Sequence, residues 1–267
     1  MKYVQNTLAG AALTMTLIIA YFAHMPAASA ANCAFDTWQS YKNTKLYRNQ
    51  NQTAYAFVTE HKAIDADGAP NAYHPNNTGL DDIANAGYPN SRWWKDVLVP
   101  DPVNSKRAYR QADGAFKGYF VSKTAFLDKA NTRSIDPDRY LDARHVPYFV
   151  FPGKFFKMKG TGKMGDIGIA INTQTNQRSP FVIGDIGPFT NPLGEISISL
   201  AERLGGINVN PRNGSGAPQG KILYLVMPYT VSTHPISWPP SAAQLDRLTR
   251  DAIKQKGIVF PDPNCIK

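Results

Sequence analysis

The sequence predicts a mainly β fold: one exported domain, a barrel or a sandwich, with a single helix near its C-terminus. Three observations predict it. Short apolar segments alternate with turn residues along most of the chain, and both glycine and proline number 20 in 267 residues. Only one stretch, Ser241–Lys256, has the spacing of a sizeable helix. The two cysteines, Cys33 and Cys265, stand near opposite ends, and pairing them would close one domain rather than two in tandem.

The opening residues read as an export signal. Lys2 supplies a basic start, Leu8–Phe22 is apolar, and Ala28-Ser29-Ala30 suits a signal peptidase. The apolar run is shorter than the roughly 18–20 residues a membrane span needs. The expected domains are therefore a signal peptide over 1–30 and one secreted catalytic domain over 31–267. The location would be extracellular or periplasmic, with no membrane contact after cleavage. In such a compartment Cys33 and Cys265 would form a disulfide.

The formal net charge is +9. Lys2 is the only charged residue of the first thirty, so the exported chain stays basic. That balance suits an anionic cell wall or membrane surface. Export and the lack of a basic run interleaved with aromatics exclude a nucleic-acid partner. A monomer is expected.

Residues 31–52 are polar and weakly patterned. Tyr55–Ile64 alternates as one strand would. The segment 65–90 is rich in Asp, Asn, Gly and Pro, so a long loop is expected there, with one helical turn near Leu80–Ala86. Gly118–Thr124 and Tyr148–Phe151 read as strands. Asp166–Asn172 and Pro180–Asp185 form a hairpin across the polar turn Thr173–Ser179. Ile186–Gly194 is a loop, and Glu195–Leu200 is a strand leading into a short helix through Arg203. Lys221–Tyr229 is a buried strand. The C-terminal helix begins with Ser241 as cap, turns Leu245, Leu248 and Ala252 to one face, and stops at Gly257.

Familiar catalytic sets are missing. There is no G-x-S-x-G, no H-E-x-x-H and no phosphate-binding loop. His61, His74, His145 and His234 lack metal-ligand spacing, so no metal and no cofactor are expected. Asp185, at the end of an apolar strand, and Glu195, at the start of the next, can face one cleft across the loop. Glycosidic hydrolysis needs such a pair, one carboxylic acid and one carboxylate. The plainer alternative is a loop-capping aspartate and a solvated strand end. Asp65 and Asp67 in Asp65-Ala66-Asp67-Gly68 resemble half a calcium loop, but the later ligands are missing. Of Trp93 and Trp94, one is expected in the core; the other is either an exposed platform for a sugar ring or, as the favoured reading, buried with it as a structural pair.

Several motifs in fixed order resemble glycoside hydrolase family 75, the fungal-type chitosanases. They begin with Ala63–Pro75, then Gly79-Leu80-Asp81 and Ala84–Pro89. Gly118–Ser122, Val146-Pro147-Tyr148, Gly165-Asp166, Gly184–Pro188, Gly194–Ala201 and Leu223–Pro228 follow. The resemblance spans about residues 61–230. It implies an endo-acting, inverting hydrolase of β-1,4-linked glucosamine polymers, with a polysaccharide as partner. It places the essential acids on Asp185 and Glu195, and substrate binding on Asp65, Asp67, Tyr73 and His74. The strand–Asp–loop–strand pattern near 181–200 is also similar to the double-psi β-barrel of some wall-active enzymes. Two alternatives stay open: a peptidoglycan-cleaving hydrolase or lytic transglycosylase, favoured by the positive charge, and a non-catalytic glycan-binding protein.

Overall fold

A computed structural model describes residues 33–262, 265 and 266. The expected signal peptide lies outside the described residues. Cys33–Lys267 form one compact unit.

Nine strands make a single mixed sheet. In chain order they are β1 (Phe35–Tyr41), β2 (Thr44–Asn49), β3 (Tyr55–Thr59), β4 (Ala63–Asp65), β5 (Tyr148–Pro152), β6 (Ile167–Asn172), β7 (Arg178–Gly187), β8 (Glu195–Ser197) and β9 (Ile222–Met227). Their order across the sheet is β1-β2-β3-β9-β6-β7-β5-β8-β4. β5–β7 and β4–β8 run parallel, and the other pairs run antiparallel. The mainly β class is therefore correct, but the expected barrel does not close. β1 and β4 remain as two edges of an open sheet.

Among the described residues four α-helices accompany the sheet: α1 (Trp94–Val97), α2 (Gly153–Phe156), α3 (Ile198–Arg203) and α4 (Ala242–Gln255). α4 matches the expected C-terminal helix. Ser241 Oγ accepts from the Gln244 N–H, and Leu245 and Ala252 are buried. The helix packs on β7 and β6.

The β6–β7 hairpin forms as read, with Ile167 opposite Val182 and Ile171 opposite Arg178. β7 has β6 on one side and β5 on the other. Residues 179–185 are accordingly buried without a break, which explains the apolar run before Asp185. Phe57, Phe149, Phe181 and Tyr224 meet in edge-on, tilted and stacked contacts at the centre of the core.

Three expectations are corrected. Tyr55–Ile64 is two strands, not one. β3 pairs with β9, while β4 leaves for β8. The break is fixed where Thr59 Oγ1 donates to the Leu193 carbonyl and the Ala63 N–H donates to the Gly194 carbonyl. Gly118–Thr124 makes only isolated bridges, Arg110 with Phe120 and Leu98 with Ser122. Its partners are short loop segments, and no ladder extends. Residues 35–49, weakly patterned in sequence, form the β1–β2 hairpin. Its turn places Lys42 at φ 50°, a conformation usually signalled by Gly or Asn, so the turn was not legible.

Cys33 and Cys265 are bonded, with Cα atoms 5.6 Å apart and a sequence separation of 232. The bond ties the segment before edge strand β1 to the C-terminal tail. Replacing both cysteines by serine should lower unfolding free energy by about 2–5 kcal/mol. Urea unfolding checks this, and an unchanged midpoint would mean the tie does not constrain the unfolded chain.

Candidate active site

Two parallel strand pairs bring the predicted acids together from distant parts of the chain. β4 lies beside β8 with Ala63 opposite Glu195 and Asp65 opposite Ser197. β5 lies beside β7 with Val150 opposite Asp185. Phe149 of β5 pairs with Ile196 of β8, so β7, β5, β8 and β4 are consecutive strands. Ser197 pins this junction. Its Oγ donates to the Val146 carbonyl at 2.9 Å and accepts from the backbone N–H groups of Tyr148 and Leu200.

Asp185 lies inside β7, two residues before its end, rather than closing the strand as expected. The β5–β7 register skips Gly184 between Ile183 and Asp185. This bulge re-aims the side chain that follows. A Cβ on Gly184 would lie 2.6 Å from Tyr148 Cβ and 2.7 Å from Leu141 Cδ1, so only glycine fits. Asp185 Oδ1 accepts from the Ala125 and Ile186 N–H groups, each at 2.8 Å.

Glu195 begins β8. Its Oε2 is buried and has no hydrogen-bond partner, although the residue keeps some exposed surface. It lies against Gly187, where an added Cβ would come within 2.8 Å of Oε2. A loop of 188–194 closes the connection, so Asp185 and Glu195 sit across one short crossover.

Asp65 ends β4, and its Oδ1 accepts from the Asp67 N–H at 2.8 Å. Gly68 follows at φ 75°, with its Cβ position 1.9 Å from the Leu141 carbonyl oxygen, which accounts for the glycine in the Asp-x-Asp-Gly motif. Tyr148 donates its hydroxyl proton to the Asp67 carbonyl at 3.0 Å. Tyr73 donates to Asp81 Oδ2 at 3.3 Å. Among the described residues, Asp65, Asp67 and Asp185 each bring one oxygen to within 4.8 Å of the others. Acidic clusters of this kind occur without a cation, and we assign no metal to it.

These acids line one cavity of about 1280 Å³, larger than the roughly 300–1,000 Å³ of a typical small-molecule site. Asp65, Asp67, Tyr73, Asp185 and Glu195 all face it, as do Asp81, one of the acids at 81–82 that the sequence offers for a local acidic cleft, and Asp96, which the sequence did not single out. His74 is not in the lining. Its ring packs edge-on against Tyr119 and its Nδ1 accepts from the Asn76 N–H. Of the tryptophans, Trp94 is buried while Trp93 is 47% exposed and lines the cavity, as does Phe189, 54% exposed. The favoured buried pair is therefore corrected to one core and one exposed tryptophan, at the start of a helix rather than in a strand.

Burial sets the electrostatics. It pushes Glu195 up to about 8, with the charge of Asp65 adding to the effect. It pushes Asp65 up to about 6, opposed by the Asp67 N–H and the Tyr148 hydroxyl. Asp67 and Asp185 are also raised by burial and by their acidic neighbours; on Asp185 the Ile186 and Ala125 N–H groups pull the other way. Chemically, the site offers a raised carboxyl with an unpartnered oxygen, and a second carboxyl whose charged form is favoured by two backbone donors against burial. Lys62, Lys123, Lys157 and Arg212 stand on the same walls.

No protein-family model and no curated protein matches this chain.

The raised Glu195 has a consequence for stability. Between its ordinary value of 4.5 and about 8 the folded state holds a proton that the unfolded state releases. Its contribution is therefore complete below about 4.5 and is lost as pH rises through about 8. Thermal unfolding should give a Tm that falls between pH 5 and pH 8, with a shallower fall in Glu195→Gln. Equal slopes in the two proteins would place the Glu195 pKa near its ordinary value.

Proposed function

We propose that this chain is an exported, endo-acting glycoside hydrolase that cleaves β-1,4-linked glucosamine polymer with inversion. The observation that supports it most is Glu195: a buried carboxyl, neutral near pH 7, with one unpartnered oxygen in a large cavity. Such a group is a general acid awaiting a leaving-group oxygen. Asp185 is the general base that draws a proton from the attacking water. The proton from water goes to Asp185, the Glu195 proton goes to the leaving glycosidic oxygen, and the C1–O bond breaks as the water oxygen bonds C1 from the opposite face. Inversion requires the two carboxyl groups roughly 6.5–9.5 Å apart, with a water between.

The ordered motif resemblance to family 75 supports the substrate class. Asp65, Asp67 and Tyr73 on the cavity wall are suited to bind glucosamine, with ionised Asp65 facing its ammonium. Trp93 and Phe189 are exposed aromatic faces on the cavity for stacking sugar rings. A cavity of this size suits a polymer segment and endo action. The disulfide fits an oxidising compartment, and together with the opening residues it supports secretion. No helix among the described residues is long and apolar enough to cross a membrane.

One observation favours a second reading. Four cations stand on the cavity walls and the chain is strongly basic. An anionic glycan such as peptidoglycan is attracted by both, whereas a polycationic chitosan is repelled at long range.

The test is to incubate purified protein with chitosan and, separately, with peptidoglycan, and to follow new reducing ends, product anomer and released fragments. New reducing ends from chitosan, α-anomers first, and losses of about 10²–10⁴-fold in Asp185→Asn and Glu195→Gln are expected. Anhydro-ended fragments from peptidoglycan alone would replace this reading with the wall-enzyme one. Glycan binding without cleavage would remove the enzyme.

A further inference from the structure

Three carboxyl oxygens within 4.8 Å of one another cannot all be charged in a largely buried site, because like charges so close repel strongly in low dielectric. At least one proton is shared among Asp65, Asp67 and Asp185. Where it sits decides whether Asp185 can act as a base. Hydrogen bonds distinguish the three. Asp185 Oδ1 accepts two backbone N–H bonds, and Asp65 Oδ1 accepts one. Such donors favour the charged form. Among the described residues no backbone N–H bond to the carboxyl of Asp67 is found; its partners are the Tyr73 and Ser122 hydroxyls, which favour its charge when they donate but, unlike an N–H, can also accept.

The neighbour of Asp67 points the same way. Ser122 Oγ lies 3.0 Å from Asp67 Oδ1 and 3.4 Å from the Val97 carbonyl oxygen. Serine has one proton for these two oxygens. The carbonyl can only accept. If Asp67 is protonated, its O–H donates to Ser122 Oγ and Ser122 donates to Val97, so both contacts are made. If Asp67 is ionised, Ser122 donates to it and the Val97 carbonyl keeps only its bond from the Lys123 N–H at 2.8 Å.

The groups facing Asp67 come from every side of the site. Asp65 is on β4, Asp185 on β7 and Tyr148 on β5, while Tyr73 and Lys123 come from the surrounding loops. The two acids are negative, the two tyrosines are neutral, and burial disfavours the charge of Lys123. One cation against three acids does not remove the need for a proton.

We propose that Asp67 holds the shared proton in the resting site, and that this neutral carboxyl keeps Asp185 ionised as the base. Asp67 is then a positioning residue for the base, as well as part of the cavity wall. The catalytic meaning rests on the two-carboxylate reading above, but the position of the proton does not.

The experiment is carbon NMR on full-length mature protein labelled at the aspartate side-chain carboxyls, titrated across neutral pH. Asp65→Asn, Asp67→Asn and Asp185→Asn assign the signals. A protonated aspartate signal at pH 7 that disappears in Asp67→Asn and persists in Asp185→Asn is the expected result. Loss of that signal in Asp185→Asn instead, or no protonated aspartate in the cluster at pH 7, overturns the proposal. If Asp67→Asn does not fold, the other two variants assign the wild-type signal by elimination. In the glycan assay, an amide resembles a neutral acid more than a carboxylate. Asp67→Asn should therefore lower kcat at least tenfold less than Asp185→Asn, and equal losses would contradict the assignment. A wild type that cleaves no glycan would sink the functional reading while leaving the NMR result to decide the proton.

Discussion

The arrangement of the site depends on one constraint: several carboxyl groups are buried together on the wall of one cavity. Taking an ionised carboxylate out of water is costly, and the usual response is to keep the proton. Glu195 does this, at about 8. Asp185 is instead supported by two backbone N–H groups. Burial raises both acids, and on Asp185 the two backbone donors oppose that rise, a difference in environment of the kind that lets one acid give a proton while the other takes one.

The fold exists around that constraint as a way of importing backbone. β7 is flanked on both sides, and the bulge at Gly184 turns Asp185 toward the cavity. The parallel β4–β8 pair sets Asp65 one strand from Glu195 although 130 residues separate them in sequence. Ser197 binds the strands at their junction and caps α3 in the same contact. The aromatic core beneath, around Phe149 and Tyr224, gives these strands a rigid base.

Much of this was legible in the sequence for identifiable reasons. The β6–β7 hairpin, β9 and α4 carry continuous apolar runs or a clear helical period, and all appear close to their expected bounds. The pair Asp185 and Glu195 was legible because charged residues end or begin apolar strands on either side of a glycine- and proline-rich loop. Tyr73 and His74 are adjacent in their motif and the sequence does not separate them; Tyr73 reaches the cavity, whereas the imidazole packs against Tyr119. The open sheet was not legible, since closure depends on whether β1 and β4 meet, and neither three-residue β4 nor the polar β1 announces its partner. Asp96 and Phe189 were missed as site residues because nothing local marks them; only the tertiary fold sets them on the cavity.

The central claim is that Glu195 is a neutral acid at the pH where its neighbour Asp185 is a base. The most direct measurement is a pH titration of the Glu195 side-chain carboxyl by carbon NMR in glutamate-labelled protein, assigned with Glu195→Gln. A midpoint near 8 is the result this account predicts. A midpoint near the ordinary 4.5 would mean that Glu195 is a carboxylate at neutral pH, with no proton to give, and would contradict it.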